Sequence, residues 1–190
     1  MCQGFGMKRI LAPILLLTLL FPSLAFGETM DDLVKRDGIH YKKFSDVPFT
    51  GKVTGKKQGS FKNGKKNGPW VSYHHNGQLD SKGTYKNGKR DGPWVYYHDN
   101  GKLNYKINYK DGGRAGPFLK YHDNGQLWSK GTFKNFKADG PWVHYYDNGQ
   151  LTSKGTYKDG KKDGPWVWYN VDGTVWKKGT VTYKNGVKVK

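Results

Sequence analysis

One short word, Gly-Pro-Trp-Val, constrains this chain more than any other feature. It stands at Gly68-Pro69-Trp70-Val71 and returns at Gly92, Gly140 and Gly164. At Gly116 it returns as Gly-Pro-Phe-Leu, and every step is 24 residues. Tyr follows three positions after the aromatic each time, at Tyr73, Tyr97, Tyr121, Tyr145 and Tyr169. A fixed period with no insertion marks one structural unit copied along the chain. Such a unit buries its apolar side chains only by stacking on its neighbours.

The unit reads as two β-strands. Trp70 to His74 is a strand, Asn76-Gly77 turns the chain, Leu79 to Lys86 is a second strand, and Asn87-Gly88 turns it again. Asn-Gly between β-prone runs is the strongest short hairpin signal, because both residues tolerate positive φ. No helical periodicity interrupts the array. The expected fold is all-β: tandem 24-residue β-hairpin repeats in one antiparallel meander sheet. The 13 Tyr, 7 Trp and 9 Phe would supply a thin aromatic core between short strands.

Register decides which side chains share a face, because a one-residue slip reverses all of them. A three-residue loop, His75-Asn76-Gly77 with Gly77 left-handed, sets Tyr73 opposite Leu79. It would place Val71, Tyr73, Leu79, Ser81, Gly83 and Tyr85 together. The opposite face would then carry Trp70, His74, Lys82, Thr84 and Lys86. Repeated along the chain, this gives a candidate anion- or partner-binding face of Trp70, Trp94, Trp142 and Trp166. Set among them would be Lys82, Lys106, Lys130, Lys154, Lys178, Lys86, Lys110, Lys134 and Lys158. Equivalent lysines would stand roughly 10 Å apart, two strands at about 4.8 Å each. Either these lysines solvate an outer face and lie over the indoles, or they bind a polyanion or an anionic surface. The net charge of +18 suits acidic partners generally.

The first 27 residues read as a signal peptide. Lys8-Arg9 precede an apolar run from Ile10 to Leu20, and small residues follow up to Gly27. Cleavage after Gly27 or Ala25 fits, translation can start at Met1 or Met7, and a secreted or periplasmic chain is expected. Residues 28–50 do not repeat and are expected to cap the first sheet edge. Within them, Met30 to Arg36 suggests one helical turn, and Tyr41 to Phe49 a strand with its exit. The array proper spans 51–190, with a half-repeat at 51–67 and repeats starting at 68, 92, 116, 140 and 164.

Three departures stand out: Phe118 for Trp, Ile107-Asn108 for Gly-Thr, and Asn135-Phe136 for Asn-Gly. The last must change the turn type or carry strain. No catalytic, metal or cofactor site is expected. His74, His98 and His122 recur too far apart to share a metal and read as surface residues. Ser81, Ser129 and Ser153 recur as well, so none is a singular nucleophile. A nearly periodic chain without a unique constellation is not read as an enzyme.

The run Gly92-Pro93-Trp94 through Tyr97, Gly101, Tyr109 and Gly112 resembles the MORN repeat. Val47-Pro48-Phe49-Thr50-Gly51-Lys52-Val53 is similar to the lead-in of its bacterial variant, and the resemblance covers roughly Tyr41 to Lys190. It implies hairpins stacked into one elongated, twisted sheet. It also implies protein interaction or scaffolding and, in some members, binding of acidic phospholipids. Some bacterial members carry a toxin–antitoxin antitoxin label, so a neutraliser of another protein is one alternative. A cell-wall-binding aromatic repeat module is the other. The expected partner is a protein or an anionic membrane or envelope polymer, not nucleic acid. One sheet must cover its apolar face, whether by curling on itself or by pairing as a homodimer.

Overall fold

The computed structural model describes residues 27–189. The expected signal segment, apart from Gly27, lies outside them. A single 3₁₀ turn, Met30–Asp32, opens the described chain. The Thr29 hydroxyl accepts from the Asp31 N–H, and the Asp32 carboxylate accepts from the Thr29 N–H. The expected helical turn therefore stops at Asp32. Leu33–Arg36 (β1) instead pairs with Ile39–Lys42 (β2) as a separate hairpin, and the strand expected over Tyr41 to Phe49 ends at Lys42.

The repeats form one 14-stranded sheet. Its strands are β3 (Gly51–Val53), β4 (Lys57–Lys62), β5 (Lys65–Tyr73), β6 (Leu79–Lys86), β7 (Lys89–Tyr97), β8 (Leu103–Lys110) and β9 (Gly113–Tyr121). They continue as β10 (Leu127–Lys134), β11 (Lys137–Ala138), β12 (Gly140–Tyr145), β13 (Leu151–Lys158), β14 (Lys161–Tyr169), β15 (Val175–Lys184) and β16 (Val187–Lys188). Every pairing is antiparallel, and neighbours in sequence are neighbours in the sheet; β11 pairs with the end of β10 alone. This is the expected meander.

Both turn types follow from the sequence. Asn87 (φ 51°) and Gly88 (φ 83°) form a two-residue turn with left-handed backbone at both positions, the geometry that matches strand twist. At the other end of the hairpin, the His74 N–H donates to the Gln78 carbonyl and Gly77 has φ 84°. His75-Asn76-Gly77 is thus the three-residue loop, and Tyr73 pairs with Leu79. Asn135-Phe136 keeps the two-residue turn, with φ 49° and 69°. It therefore carries the strain of a left-handed phenylalanine instead of changing type. Its ring lies over Gly113, where the other repeats place Lys65, Lys89, Lys137 and Lys161.

The core is a row of rings lying flat along one face. A standing indole could not be buried by a single sheet. Here Trp70, Trp94, Trp142 and Trp166 lie back over Gly59, Gly83, Gly131 and Gly155 of the preceding strand, where an added Cβ would overlap the indole. The swing comes from two extra residues opposite each such glycine: Lys82 pairs with Val95 and Thr84 with Asp91, leaving Gly92-Pro93 as a bulge. Edge-to-face contacts then link successive strands. Centroids are 5.2 Å apart for Phe61–Trp70, 5.8 Å for Trp70–Tyr85, 5.1 Å for Tyr85–Trp94, 5.6 Å for Trp142–Tyr157 and 5.0 Å for Tyr157–Trp166. Such pairs add about 0.5–1.5 kcal/mol each beyond area burial.

The cap closes the first end of this row. Leu33 joins the core, and the His40 ring sits 4.7 Å from Phe61. Backbone bonds tie His40 to Gly64, Gly64 to Phe49, and Thr54 beside β3 to Glu28.

The departure at the third repeat obeys the same volume rule. Ile107 faces Phe118, so bulk removed from the ring reappears on the strand beneath it. Gly83→Ile alone is expected to destabilise the protein by about 2–3 kcal/mol through overpacking. In a Trp94→Phe background the loss should shrink, giving a coupling of at least about 1 kcal/mol in a denaturation double-mutant cycle.

Candidate functional site

The predicted Trp/Lys face does not exist as one surface. Tyr73 does pair with Leu79, but Ser72 then pairs with Ser81, leaving Asp80 as an extra residue. That bulge reverses everything after it. Trp70, Ser72, Ser81, Gly83 and Tyr85 share one face, while Val71, Tyr73, Leu79, Lys82, Thr84 and Lys86 share the other. Trp70, Trp94, Trp142 and Trp166 are the core, 4%, 4%, 7% and 1% exposed. Lys82, Lys106, Lys130, Lys154, Lys86, Lys110, Lys134 and Lys158 are all exposed, and they lie on the opposite face, beside the half-buried valines and leucines. Lys178 falls on β15, but its side chain is outside the described ones.

Other cations occupy the aromatic face. Lys66 Nζ lies 4.1 Å from the Trp70 ring centroid and 5.1 Å from Tyr85. Arg90 lies 4.9 Å from Trp94 and 5.3 Å from Tyr109, and Lys162 4.4 Å from Trp166. These side chains lid the rings and cover part of the apolar face. Their recurrence as Lys66, Arg90, Arg114 and Lys162, interrupted by Ala138, was visible in the sequence, but each follows a turn lysine or glycine and reads there as a solvated turn. Burial pushes the Lys66 ammonium down from its ordinary 10.5 to about 8, with help from Lys57, Arg90 and Lys35. Burial also lowers Lys120 and Lys162.

The two long edges of the sheet differ in charge. Turns 62–66, 86–90, 110–114, 134–138, 158–162 and 184–188 carry fifteen Lys or Arg and two Asp. Loops 74–78, 98–102, 122–126, 146–150 and 170–174 carry one Lys and four Asp. On the basic edge, lysines stand directly opposite one another at Lys62/Lys65, Lys86/Lys89, Lys134/Lys137 and Lys158/Lys161. Like charges so placed destabilise a sheet.

The acidic edge is laced by hydrogen bonds between repeats. His74, His98 and His122 set Nε2 3.1, 3.3 and 3.0 Å from the carbonyls of Tyr97, Tyr121 and Tyr145. Asn76, Asn100, Asn124 and Asn148 donate to the carbonyls of Asp99, Asp123, Asp147 and Val171. The histidines read as surface residues are thus half-buried ties between neighbouring units.

Residues 66–87, 90–111, 114–135 and 138–159 each match the MORN repeat variant family, and these four tandem units belong to it. The next unit repeats the same contacts, with Trp166 over Gly155 and its indole N–H donating to the Thr156 carbonyl at 3.0 Å. No match was found among curated proteins. MORN repeats are in general binding modules for proteins or membrane lipids, not enzymes.

The Lys66 environment sets a pH dependence. The fold holds this ammonium below its unfolded pKa, so above about pH 8 the native state loses the proton while the unfolded chain keeps it. Stability contributed by this group therefore rises with pH from that point. Chemical denaturation of wild type against Lys66→Met, from about pH 7 to about pH 9.5 and below ordinary tyrosine ionisation, should show wild type gaining on the variant as pH rises.

Proposed function

We propose that this chain is a non-catalytic docking module outside the cytoplasm that engages an extended anionic partner, an envelope surface or polymer, through its basic edge and the adjoining lysine face. The observation that carries this reading is the set of like-charged pairs repeated along one edge. They cost stability where they stand, and an anionic partner would relieve that repulsion. Equivalent pairs recur two strands on, roughly 10 Å apart and close to a Debye length at physiological salt. Neighbouring pairs can therefore act on one partner. The stiff hydrogen-bonded ladder on the other edge supports the reading, because it holds the spacing fixed.

Co-sedimentation with phosphatidylcholine vesicles carrying phosphatidylserine, and titration with heparin, would test this. Binding should weaken steeply as salt rises. Reversing Lys86, Lys89, Lys134 and Lys137 to Glu should lower affinity by at least about a hundredfold, since each lysine near an anionic membrane contributes about 1 kcal/mol. Changing Asp99 and Asp123 to Asn should leave it unchanged. Binding indifferent to salt or to the four reversals would remove the proposal.

The location rests on Lys8-Arg9, the Ile10–Leu20 run and the small residues up to Gly27. In a bacterial host, fractionation of cells making a C-terminally tagged full chain should put a shortened protein in the periplasm or medium. Full-length protein in the cytoplasm would overturn that part of the reading.

A further inference from the structure

The aromatic face contains one place where the repeat pattern is relaxed on every side at once. Phe118 stands where other units have Trp. Ala138 stands where they have a cation lying on the indole. Between these positions is a cleft of about 360 Å³, within the range of small-ligand sites. Arg114, Lys120, Trp128, Ser129, Trp142 and His144 line it, and no carboxylate does.

Two of these groups are buried with unmet hydrogen-bonding capacity. Ser129 is 3% exposed, and its hydroxyl has no partner. Two units upstream, the equivalent Ser81 pairs with Ser72 at 2.7 Å. The Trp142 indole N–H is likewise unpaired, whereas those of Trp70, Trp94 and Trp166 donate to carbonyls at 3.0–3.2 Å. A buried polar group without a partner costs about 1–3 kcal/mol, and both residues stand at the wall of the same cleft, with Ser129 Oγ and the Trp142 N–H closed to solvent. Arg114 makes no ion pair among the described residues. Its guanidinium lies 5.4 Å from Phe133 and has no indole of its own unit to cover. Trp128, 39% exposed, is flanked by the Lys120 ammonium 3.8 Å from its ring centroid.

We propose that this cleft binds an acidic sugar residue, a pyranose bearing a carboxylate. Arg114 takes the carboxylate through its planar pair of donors. The apolar face of the pyranose lies against the aromatic walls. Seating the sugar parts the cleft wall and opens Ser129 Oγ and the Trp142 N–H, closed to solvent without it, to the ring hydroxyls. An aliphatic chain would leave both polar groups unpaired, and a lone carboxylate would leave the aromatic walls uncovered. The site is on the face opposite the exposed lysines, so it does not depend on the docking proposed above.

Titration of the whole repeat protein with trigalacturonate at physiological salt, followed by tryptophan fluorescence and calorimetry, tests the assignment. The expected result is saturable binding of one equivalent. The methyl-esterified trimer should bind at least about tenfold more weakly, a difference of about 1.4 kcal/mol. Acetate should not displace the ligand. Arg114→Gln, at an exposed position, and Ser129→Ala should each weaken binding by about tenfold, while Lys86→Glu should not. Circular dichroism would check that each variant keeps the wild-type fold. No saturable binding, equal affinity for the ester, displacement by acetate, an unaltered Arg114→Gln affinity or tighter binding of an acidic peptide would each overturn the proposal.

Discussion

An indole lying flat on a glycine is the contact from which the rest of this sheet follows. A single layer of strands has no second layer to bury its side chains, so an upright tryptophan would stay wet. Gly92, at φ 71°, and Pro93 insert two extra residues and carry Trp94 back over Gly83. Only a missing Cβ leaves room for the ring. The next tyrosine then meets the indole edge-on, and a cation from the turn just before the indole closes over it. Core, bulge and lid are consequences of one steric requirement, and Ile107 with Phe118 satisfies it by moving the bulk to the other partner.

Much of this was legible in the chain. The period, the Asn-Gly turns, the three-residue loop and the Tyr73–Leu79 pairing all come from local chemistry that repeats. The faces were not legible, because the residue that decides them has no chemistry in common between units. The bulge position holds Asp80, Asn104, Trp128 and Thr152 in turn, and in the last hairpin it widens to 176–179. An extra residue opposite nothing can be anything, and so leaves no pattern to read. Alternation along Leu79–Lys86 gave no warning, since both faces mix polar and apolar side chains. The joint Trp/Lys surface failed on that one residue, and the lidding role of Lys66 and Arg90 was missed with it. The acidic, histidine-tied edge escaped for a different reason: its bonds run from a side chain to a carbonyl 23 residues on, across two strands.

The two edges divide stability from charge. On one, side-chain bonds to the next unit's carbonyls stitch each hairpin to its neighbour. On the other, ammonium groups are held close against their mutual repulsion. Stiffness on the first edge fixes the geometry presented by the second, so the spacing of the lysines is a property of the backbone and not of flexible tails.

The glycine and the indole that covers it belong to successive copies of the unit, not to the same one. Exchange of whole units between copies therefore separates partners at both junctions. Among the standard units this is harmless, because every glycine accepts every indole, and the array can lengthen or shorten by 24 residues at a time. The unit that begins at Gly116 is different. Lifted out alone, it would leave Ile107 under a tryptophan, and dropped in elsewhere it would set a phenylalanine over a bare glycine. The order of the copies is therefore pinned by sterics at one junction, where the unit that begins at Gly92 supplies Ile107 and the unit that begins at Gly116 supplies Phe118.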